Sequence, residues 1–539
     1  MEWMGLLSRA GLRRTAVAAA TAAFVTLAAA AVCAPAAHAQ QRGGTLNMIV
    51  QPEPPILVFG LNQNGPTQTV AGKIYSGLLT YDMDLKPLPS LAESWEISPD
   101  GLTYTFHLRK NVKWHDGQPF TADDVLFTTK TFLPETHPRA RANFARAESI
   151  TAPDPYTVVF KLKEPFGPFI YAFEVSSAPM MPKHIYEGTD FRNNPANATP
   201  IGTGPFKFVE WQKGSFIHLA RFDGYFKPGQ PYLDDIYFRI IPDAALRAAA
   251  LENQEVDASS FVDIAYVDVP RLRALPHLEM TTKGYEFFAP VMWLEVNNTR
   301  PPMDDKRFRQ AIAYAIDKSF IQKNIFFGLG RPATGPINSV TNFYEKDVKH
   351  YGYDPKKAEA LLDEMGLKKG ANGMRAKIEM IPTPYGELWT QLAEYCKQAL
   401  GKVGIEVTLR STDVAGYNQA NSNHEYDTTF NYLYQYADPA LGVARSYVSS
   451  NIRKGVMFSN TAQYRNPKVD ELFEKAATAP SRDDRQKSYS EVQKILVEDE
   501  PVVWLLEMEF PTFYNKKFKN FVTTGIGVNE SFDAVYIQQ

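Results

Sequence analysis

The stretch with the most chemistry to offer is Thr428-Thr429-Phe430-Asn431-Tyr432-Leu433-Tyr434-Gln435-Tyr436-Ala437-Asp438-Pro439. Its tyrosines stand at i, i+2 and i+4, so an extended backbone would put them on one face. A tyrosine ring offers flat apolar area with a polar tip, a combination that grips varied ligands at low entropic cost. The same run would also serve as a tyrosine-rich strand edge packed between lobes, and the residues alone leave both readings open.

Catalysis needs a constellation that the chain does not supply. There is no G-x-S-x-G elbow for a serine nucleophile and no H-E-x-x-H for zinc. His107, His115, His137, His184, His218, His277, His350 and His424 are scattered without the spacing of metal ligands. Gly328-x-Gly330 is followed by Ala333 where a dinucleotide-binding loop has its third glycine. Residues 201–206, Ile-Gly-Thr-Gly-Pro-Phe, lack the Gly-Lys-Ser/Thr ending of a phosphate loop and read as a tight turn entering a strand. The pairs Asp123-Asp124 and Asp304-Asp305 fall at expected helix starts, where the macrodipole favours negative charge. No cofactor is expected, and nickel is disfavoured because His, Cys and Asp do not cluster. Arg445 and Arg453 could meet a ligand carboxylate by bidentate pairing, or simply lie on the surface.

Residues 1–39 read as an export signal. Arg9, Arg13 and Arg14 make a basic start, an Ala-rich apolar core follows, and Ala37-His38-Ala39 is a small-residue cleavage site. A membrane anchor is the competing reading, weakened by the modest hydrophobicity of that core. Arg13-Arg14 leaves Sec and twin-arginine export both open. Val32 is too large for a usual lipobox before Cys33, so a free periplasmic protein is expected. The rest of the 539-residue chain is long enough for at least two lobes. Loss of the signal makes it more acidic than the −3 of the full sequence, which argues against nucleic-acid binding. Cys396 alone remains, so no intramolecular disulfide is possible and a large core must hold the fold. Its helical spacing in LAEYCKQAL fits a packed thiol.

These residues must be positioned by a mixture of strands and helices. Strands are expected at 45–50, 157–162, 216–220, 236–241, 291–296 and 502–506. Helices are expected at 70–79, 244–253, 355–366, 388–403 and 482–499. Asp304 and Asp305 cap another, with Phe308, Ala311, Ile312 and Ala315 on one face, and Asn466-Pro467 opens one more. The mixture argues an α/β fold.

Residues 91–125, LAESWEISPDGLTYTFHLRKNVKWHDGQPFTADDV, read locally as a turn at Pro99-Asp100-Gly101, a half-buried strand, a turn at His115-Asp116-Gly117 and a helix capped by Thr121. As a pattern they are more specific. The runs L-A-x-S-W, S-x-D-G-x-x-Y-x-F-x-L-R-x-x-V-K-W-H-D-G and P-F-T-A-D-D-V closely resemble the signature of family 5 extracellular solute-binding proteins, the dipeptide, oligopeptide and nickel class of ABC-importer receptors. The I-G-T-G-P-F element at 201–206 matches the same family. So does N-T-x-P-P-M-D-D-x-R-x-R-Q-A-I-A-Y-A-I-D at 298–317.

The resemblance implies an α/β, two-lobed periplasmic-binding-protein clamshell, large and type II-like, hinged by two crossing strands near Val291 and Leu506. Lobe I would comprise 40–290 and 507–539, with an inserted subdomain at about 81–199, and lobe II 291–506. It implies a monomeric periplasmic receptor that captures a peptide-like or other small polar solute between the lobes. The receptor would deliver that solute to ABC transporter permease subunits in the inner membrane. A secreted hydrolase with an unrecognised site, or a periplasmic binder uncoupled from transport, are the rivals.

In peptide-binding relatives the tyrosine region reads roughly W-x-x-D-Y-x-x-P, and its Asp receives the ligand's α-ammonium group. Anchoring on Tyr436 and Pro439 puts Tyr432 at the Trp position and Gln435 at the Asp position. An amide accepts a hydrogen bond from an ammonium but does not neutralise it. Charge-assisted bonds contribute about 1.5–3 kcal/mol, and an unpaired buried charge is costly. Unless Asp438 or Glu53 supplies the carboxylate, a peptide with a free amino terminus should bind poorly. A modified peptide, an opine-like compound or a sugar then comes into view. After the turn Glu255-Val256-Asp257, Ser260 and Phe261 replace a ligand-facing Tyr-Asn pair. The implied ligand contacts are Tyr432, Leu433, Gln435, Tyr436, Asp438, Ser260 and Phe261.

Overall fold

Strands Val291–Val296 and Val502–Glu507 are buried along their whole length, which requires cover on both faces. In the computed structural model, which describes residues 42–538, they lie side by side and antiparallel. They are the second and third strands of a six-stranded sheet ordered Arg331–Pro332, Val502–Glu507, Val291–Val296, Thr428–Leu433, Ala376–Ile381, Ile405–Leu409. A seven-stranded sheet runs Leu278–Thr281, Thr512–Asn515, Ala258–Ser259, Thr45–Ile49, Asp235–Arg239, Phe216–Arg221, Phe206–Gln212. The chain passes between the two sheets at 282–290 and again at 508–511. A separate four-stranded antiparallel sheet, Ala92–Ile97, Thr103–Leu108, Thr157–Leu162 and Ala147–Asp154, is inserted before Phe206–Gln212. The result is a two-lobed α/β clamshell. The expected export signal, with its cleavage site at Ala39, lies outside the described residues.

Local chemistry accounts for most boundaries. Asn466 opens helix Pro467–Thr478, its side chain accepting the Lys468 N–H at 3.0 Å. Asp305 caps Lys306–Ala315, whose Phe308, Ala311, Ile312 and Ala315 are buried. Cys396 is fully buried on helix Glu387–Lys402. Within 91–125, Tyr104, Phe106 and Leu108 alternate into the core, Trp114 is fully buried, and the Thr121 N–H donates to Asp124 at 2.9 Å at the start of helix Ala122–Phe127. The signature is therefore mainly a packing unit.

The helix expected at 70–79 is instead Gly65–Ala71, opened by Asn64 and Pro66. At Gly72 the backbone passes so close to Asn529 that a Cβ would stand 1.9 Å from its carbonyl oxygen, and 73–78 continue as buried, non-helical chain. Gly65-Pro66 looks like a loop in sequence, which hid the early start. The 201–206 turn has a similar cause. A Cβ on Gly202 would meet the Ile74 carbonyl at 1.9 Å, and Gly204 donates its N–H to the same oxygen at 2.8 Å. These glycines serve close backbone contact, not phosphate. Gly202→Ala should lower stability by roughly 1–3 kcal/mol or more through overpacking, read from the urea midpoint.

Candidate functional site

Strand Thr428–Leu433 pairs antiparallel with Val291–Val296, Tyr432 opposite Met292. Beyond it, the N–H groups of Gln435 and Ala437 donate to Phe288 and Phe287 carbonyls at 2.7 and 2.8 Å, so the tyrosine run is tied to the 282–290 crossing. Tyr432, Tyr434 and Tyr436 form a row with neighbouring rings 6.0 and 6.1 Å apart, edge to face. Trp389 stacks on Tyr432 at 5.9 Å and 13°, and Phe288 meets Tyr434 at 5.4 Å. Burial pushes the phenols of Tyr432 and Tyr434 above their ordinary value, so both remain neutral hydrogen-bonding groups.

Leu433 and Gln435, expected among the ligand contacts, point the other way. Both line a slit of about 10 Å³ inside the second lobe with Val291, Trp293 and Tyr447. The Gln435 amide donates to the Pro336 carbonyl at 2.9 Å and accepts from the Asn338 N–H and the Thr341 hydroxyl, both at 3.2 Å. Asp438 is fully buried. It caps Pro439–Gly442 through the Ala440 N–H at 3.0 Å, and one guanidinium nitrogen of Arg485 donates to its two oxygens at 2.9 and 2.7 Å. Burial raises the Asp438 carboxyl and Arg485 opposes that shift. Glu53 accepts from the Trp211 indole at 2.8 Å and the Gly214 N–H at 3.1 Å. The two acids the sequence offered to a ligand ammonium thus hold internal partners.

On the first-lobe side, Ser260 is buried and its N–H donates to Asp263 at 3.2 Å. Phe261, at φ 50°, donates its N–H to the Tyr285 hydroxyl at 3.2 Å and packs on Tyr285 and Phe510 at 5.0 and 5.5 Å. Tyr285 and Phe510 belong to the two crossings, so Phe261 sits at the hinge. Burial raises Asp263 to about 7, against the opposing pull of the Ser260 N–H and Arg247.

Arg139 was not singled out by the sequence. From helix Pro138–Phe144 its guanidinium lies 3.9 Å over the Tyr436 ring and donates to the Tyr436 hydroxyl at 2.6 Å and the Ser176 carbonyl at 3.2 Å. The partners are 297 positions apart, and no local pattern announces such a contact. Arg445 approaches the same ring at 5.7 Å, whereas Arg453 donates to the Ser450 carbonyl at 3.3 Å. Beside the Asp438–Arg485 pair a cavity of about 210 Å³ opens between Gly167 and Tyr171 on one side and Asn342, Phe343 and Arg482 on the other. Among the described residues no cluster of His, Cys, Asp and Glu could hold a metal, and no helix is long and apolar enough to cross a membrane.

The sequence model of the bacterial extracellular solute-binding proteins, family 5 Middle, matches residues 86–455. The chain belongs to this family. It is 29% identical over 473 residues to the dipeptide-binding protein of Escherichia coli strain K12, covering 84% of this chain and 86% of that one. Its fold is similar to the periplasmic binding protein DppA of Helicobacter pylori in complex with peptide STSA, with TM-score 0.78, 27% identity and coverage of 93% and 99%. It is also similar to AgaA of A. tumefaciens R10 in complex with agropinic acid, with TM-score 0.77, 28% identity and coverage of 92% and 99%. Family 5 proteins are binding proteins, not enzymes, and this chain is a solute-binding receptor of an ABC importer.

Two predictions separate scaffold from contact. Asp438→Asn should cost roughly 3–5 kcal/mol in urea unfolding, because it leaves Arg485 buried without its charge partner, and the double variant Asp438→Leu, Arg485→Met should recover part of that loss. Asp263, raised on folding from 3.8 to about 7, holds its proton more firmly in the folded state. Its contribution therefore makes stability fall as pH rises from about 4 to 7 and level off above. Asp263→Asn should remove that slope, gaining up to roughly 4 kcal/mol over the parent at pH 8 and little at pH 4, by urea melts at both.

Proposed function

We propose that this receptor works in the periplasm, released by cleavage after Ala39. It takes a peptide-like or other small polar solute between lobe I (40–290 and 507–539, with a subdomain at about 81–199) and lobe II (291–506). As a monomer it presents the closed form to the permease subunits. The observation that carries the reading is the tyrosine row: a rigid aromatic face on the second lobe, tied to one crossing and met by Arg139 from the other side. Tyr432, Tyr434 and Tyr436 form the wall for the solute, with Phe261 at the hinge. Ser260, Leu433, Gln435 and Asp438 support that wall from behind.

What relatives are named for widens the choice of solute. The Escherichia coli protein is a dipeptide-binding protein, and the AgaA structure holds agropinic acid. Gln435 in the ammonium-binding position, with Asp438 and Glu53 engaged elsewhere, supports a solute without a free α-amine. Native mass spectrometry of the chain purified from its own periplasm should show one retained small molecule. X-ray scattering should show compaction when that molecule is restored to stripped protein. Tyr434→Ala should weaken its binding roughly tenfold by calorimetry, a loss of about 1.4 kcal/mol in aromatic contact. Steady turnover of a peptide or glycoside at catalytic protein concentration would refute the receptor reading.

A further inference from the structure

Arg139 stands on the inserted subdomain of the first lobe and Tyr436 on the second, and the chain joins the two lobes through the crossings at 282–290 and 508–511. Their contact is made by the protein's own groups on both sides. The guanidinium lies 3.9 Å over the ring and donates to its hydroxyl at 2.6 Å. Such a contact is strongest where water is excluded, and Tyr436 is buried whereas Tyr432 and Tyr434 are half-buried. The last ring of the row is thus covered by protein, while the first two keep area for a solute.

Both partners are fixed in advance. His137 caps the Arg139 helix by accepting the Ala140 N–H at 3.2 Å, and its other ring nitrogen donates at 3.2 Å to the Ser176 carbonyl, which also accepts from Arg139. Burial lowers His137 to about 3, which keeps that ring neutral. Glu174 holds Ser176 in turn, accepting its N–H at 2.6 Å and its hydroxyl at 2.5 Å. On the other side, Tyr436 takes φ 50° between the Gln435 and Ala437 N–H bonds to the first crossing. Its ring is framed by Phe287, Phe288 and Tyr434 at 6.4, 6.3 and 6.1 Å. Groups held this way lose little freedom on meeting. Arg445 approaches the same ring at 5.7 Å from the second lobe, so a like charge opposes the arrival of Arg139 and keeps the contact reversible.

We propose that Arg139 and Tyr436 form an inter-lobe latch that draws this receptor toward closure before any solute is bound, so that a solute adds to a closure already begun. This rests on the receptor reading above and concerns the regulation of the same cleft. Opening about the crossings carries Arg139 away with its subdomain while Tyr436 stays tied to Phe287 and Phe288. The contact therefore stabilises the closed state and not the open one, which is the condition for a population shift.

The test uses the whole mature chain, stripped of bound solute by partial unfolding and refolding. Spin labels on Glu93→Cys in strand Ala92–Ile97 and Glu474→Cys in helix Pro467–Thr478, both exposed positions, report the lobe separation, and Cys396 is fully buried and stays unlabelled. Double electron–electron resonance of the solute-free parent should show a short-distance population. Arg139→Gln should lower the ratio of short to long distances roughly tenfold. Tyr436→Phe keeps the ring but loses the acceptor and should lower it less. The double variant should match Arg139→Gln alone, because both changes break one contact. A ratio unchanged by Arg139→Gln, a double variant more open than Arg139→Gln, or a parent with no short-distance population overturns the latch. Should Arg139→Gln fail to fold, the same measurement on Tyr436→Phe decides. The receptor reading is judged separately, by native mass spectrometry of the parent with a deproteinised extract of its own culture. An adduct there sustains that reading whatever the latch does, and its absence overturns that reading while the distances still decide the latch.

Discussion

Asp438 and Arg485 hold the bend on which the site depends. A carboxylate with no exposure is costly unless its partner geometry is good and its other lone pairs are used. Here one guanidinium nitrogen reaches both oxygens, the Ala440 N–H takes a further position, and the Arg485 Nε donates to the Ala476 carbonyl at 2.9 Å. The pair therefore joins helix Pro467–Thr478, helix Arg482–Asp499 and the end of the tyrosine run. Immediately before it, Tyr436 and Ala437 sit at φ 50° and 63°, a left-handed pair that costs of order 1–3 kcal/mol per residue and persists only where its surroundings dictate it. Gly442 completes the arrangement, since a Cβ there would stand 2.4 Å from the Gln435 Cα. Without this bend the third tyrosine would continue up the strand instead of turning under Arg139.

Given the bend, period-two alternation divides the labour. One set of side chains, Tyr432, Tyr434 and Tyr436, makes an aromatic face; the other, Leu433 and Gln435, fastens that face to the loop at 336–341. The backbone between them bonds to Phe287 and Phe288 in the first crossing, and Phe261 packs on residues from both crossings. Aromatic face and hinge are thus one continuous piece. A solute touching the row alone would bind open and closed forms alike and shift nothing. Only contacts that also engage the opposite lobe bias the equilibrium.

Strand Thr157–Leu162 and helix Arg482–Asp499 were legible to the residue, because alternation and Asn or Ser caps are local signals. The 91–125 pattern fixed the family, yet its residues are packing units around Trp114 and Tyr104. The spacing of the tyrosines placed them on one face correctly. What sequence missed is non-local: Arg139 meets Tyr436 across most of two lobes, and Trp389 reaches Tyr432 from a helix whose amphipathic pattern marks it only as core. Family alignment named the Gln435 position but could not say which way an amide would turn. That was decided by a backbone carbonyl, an N–H and a hydroxyl at 336–341. The displaced helix at Gly65–Ala71 came from reading Gly-Pro as an interruption where it was a start.

The charge arrangement of the cleft follows from where its acids are placed. Asp438 is neutralised by Arg485, Glu53 is bound at a sheet edge by Trp211, and Asp263, raised to about 7 by burial, retains much of its proton at neutral pH. In the proposed site, an ammonium reaching the tyrosine row would lose water without gaining any of these three carboxylates. The row itself offers only neutral phenols and, at its far end, guanidiniums. Selection against amines in such a site requires no repulsive residue. It would follow from committing Asp438, Glu53 and Asp263 to the fold, so that desolvation of a cation goes uncompensated.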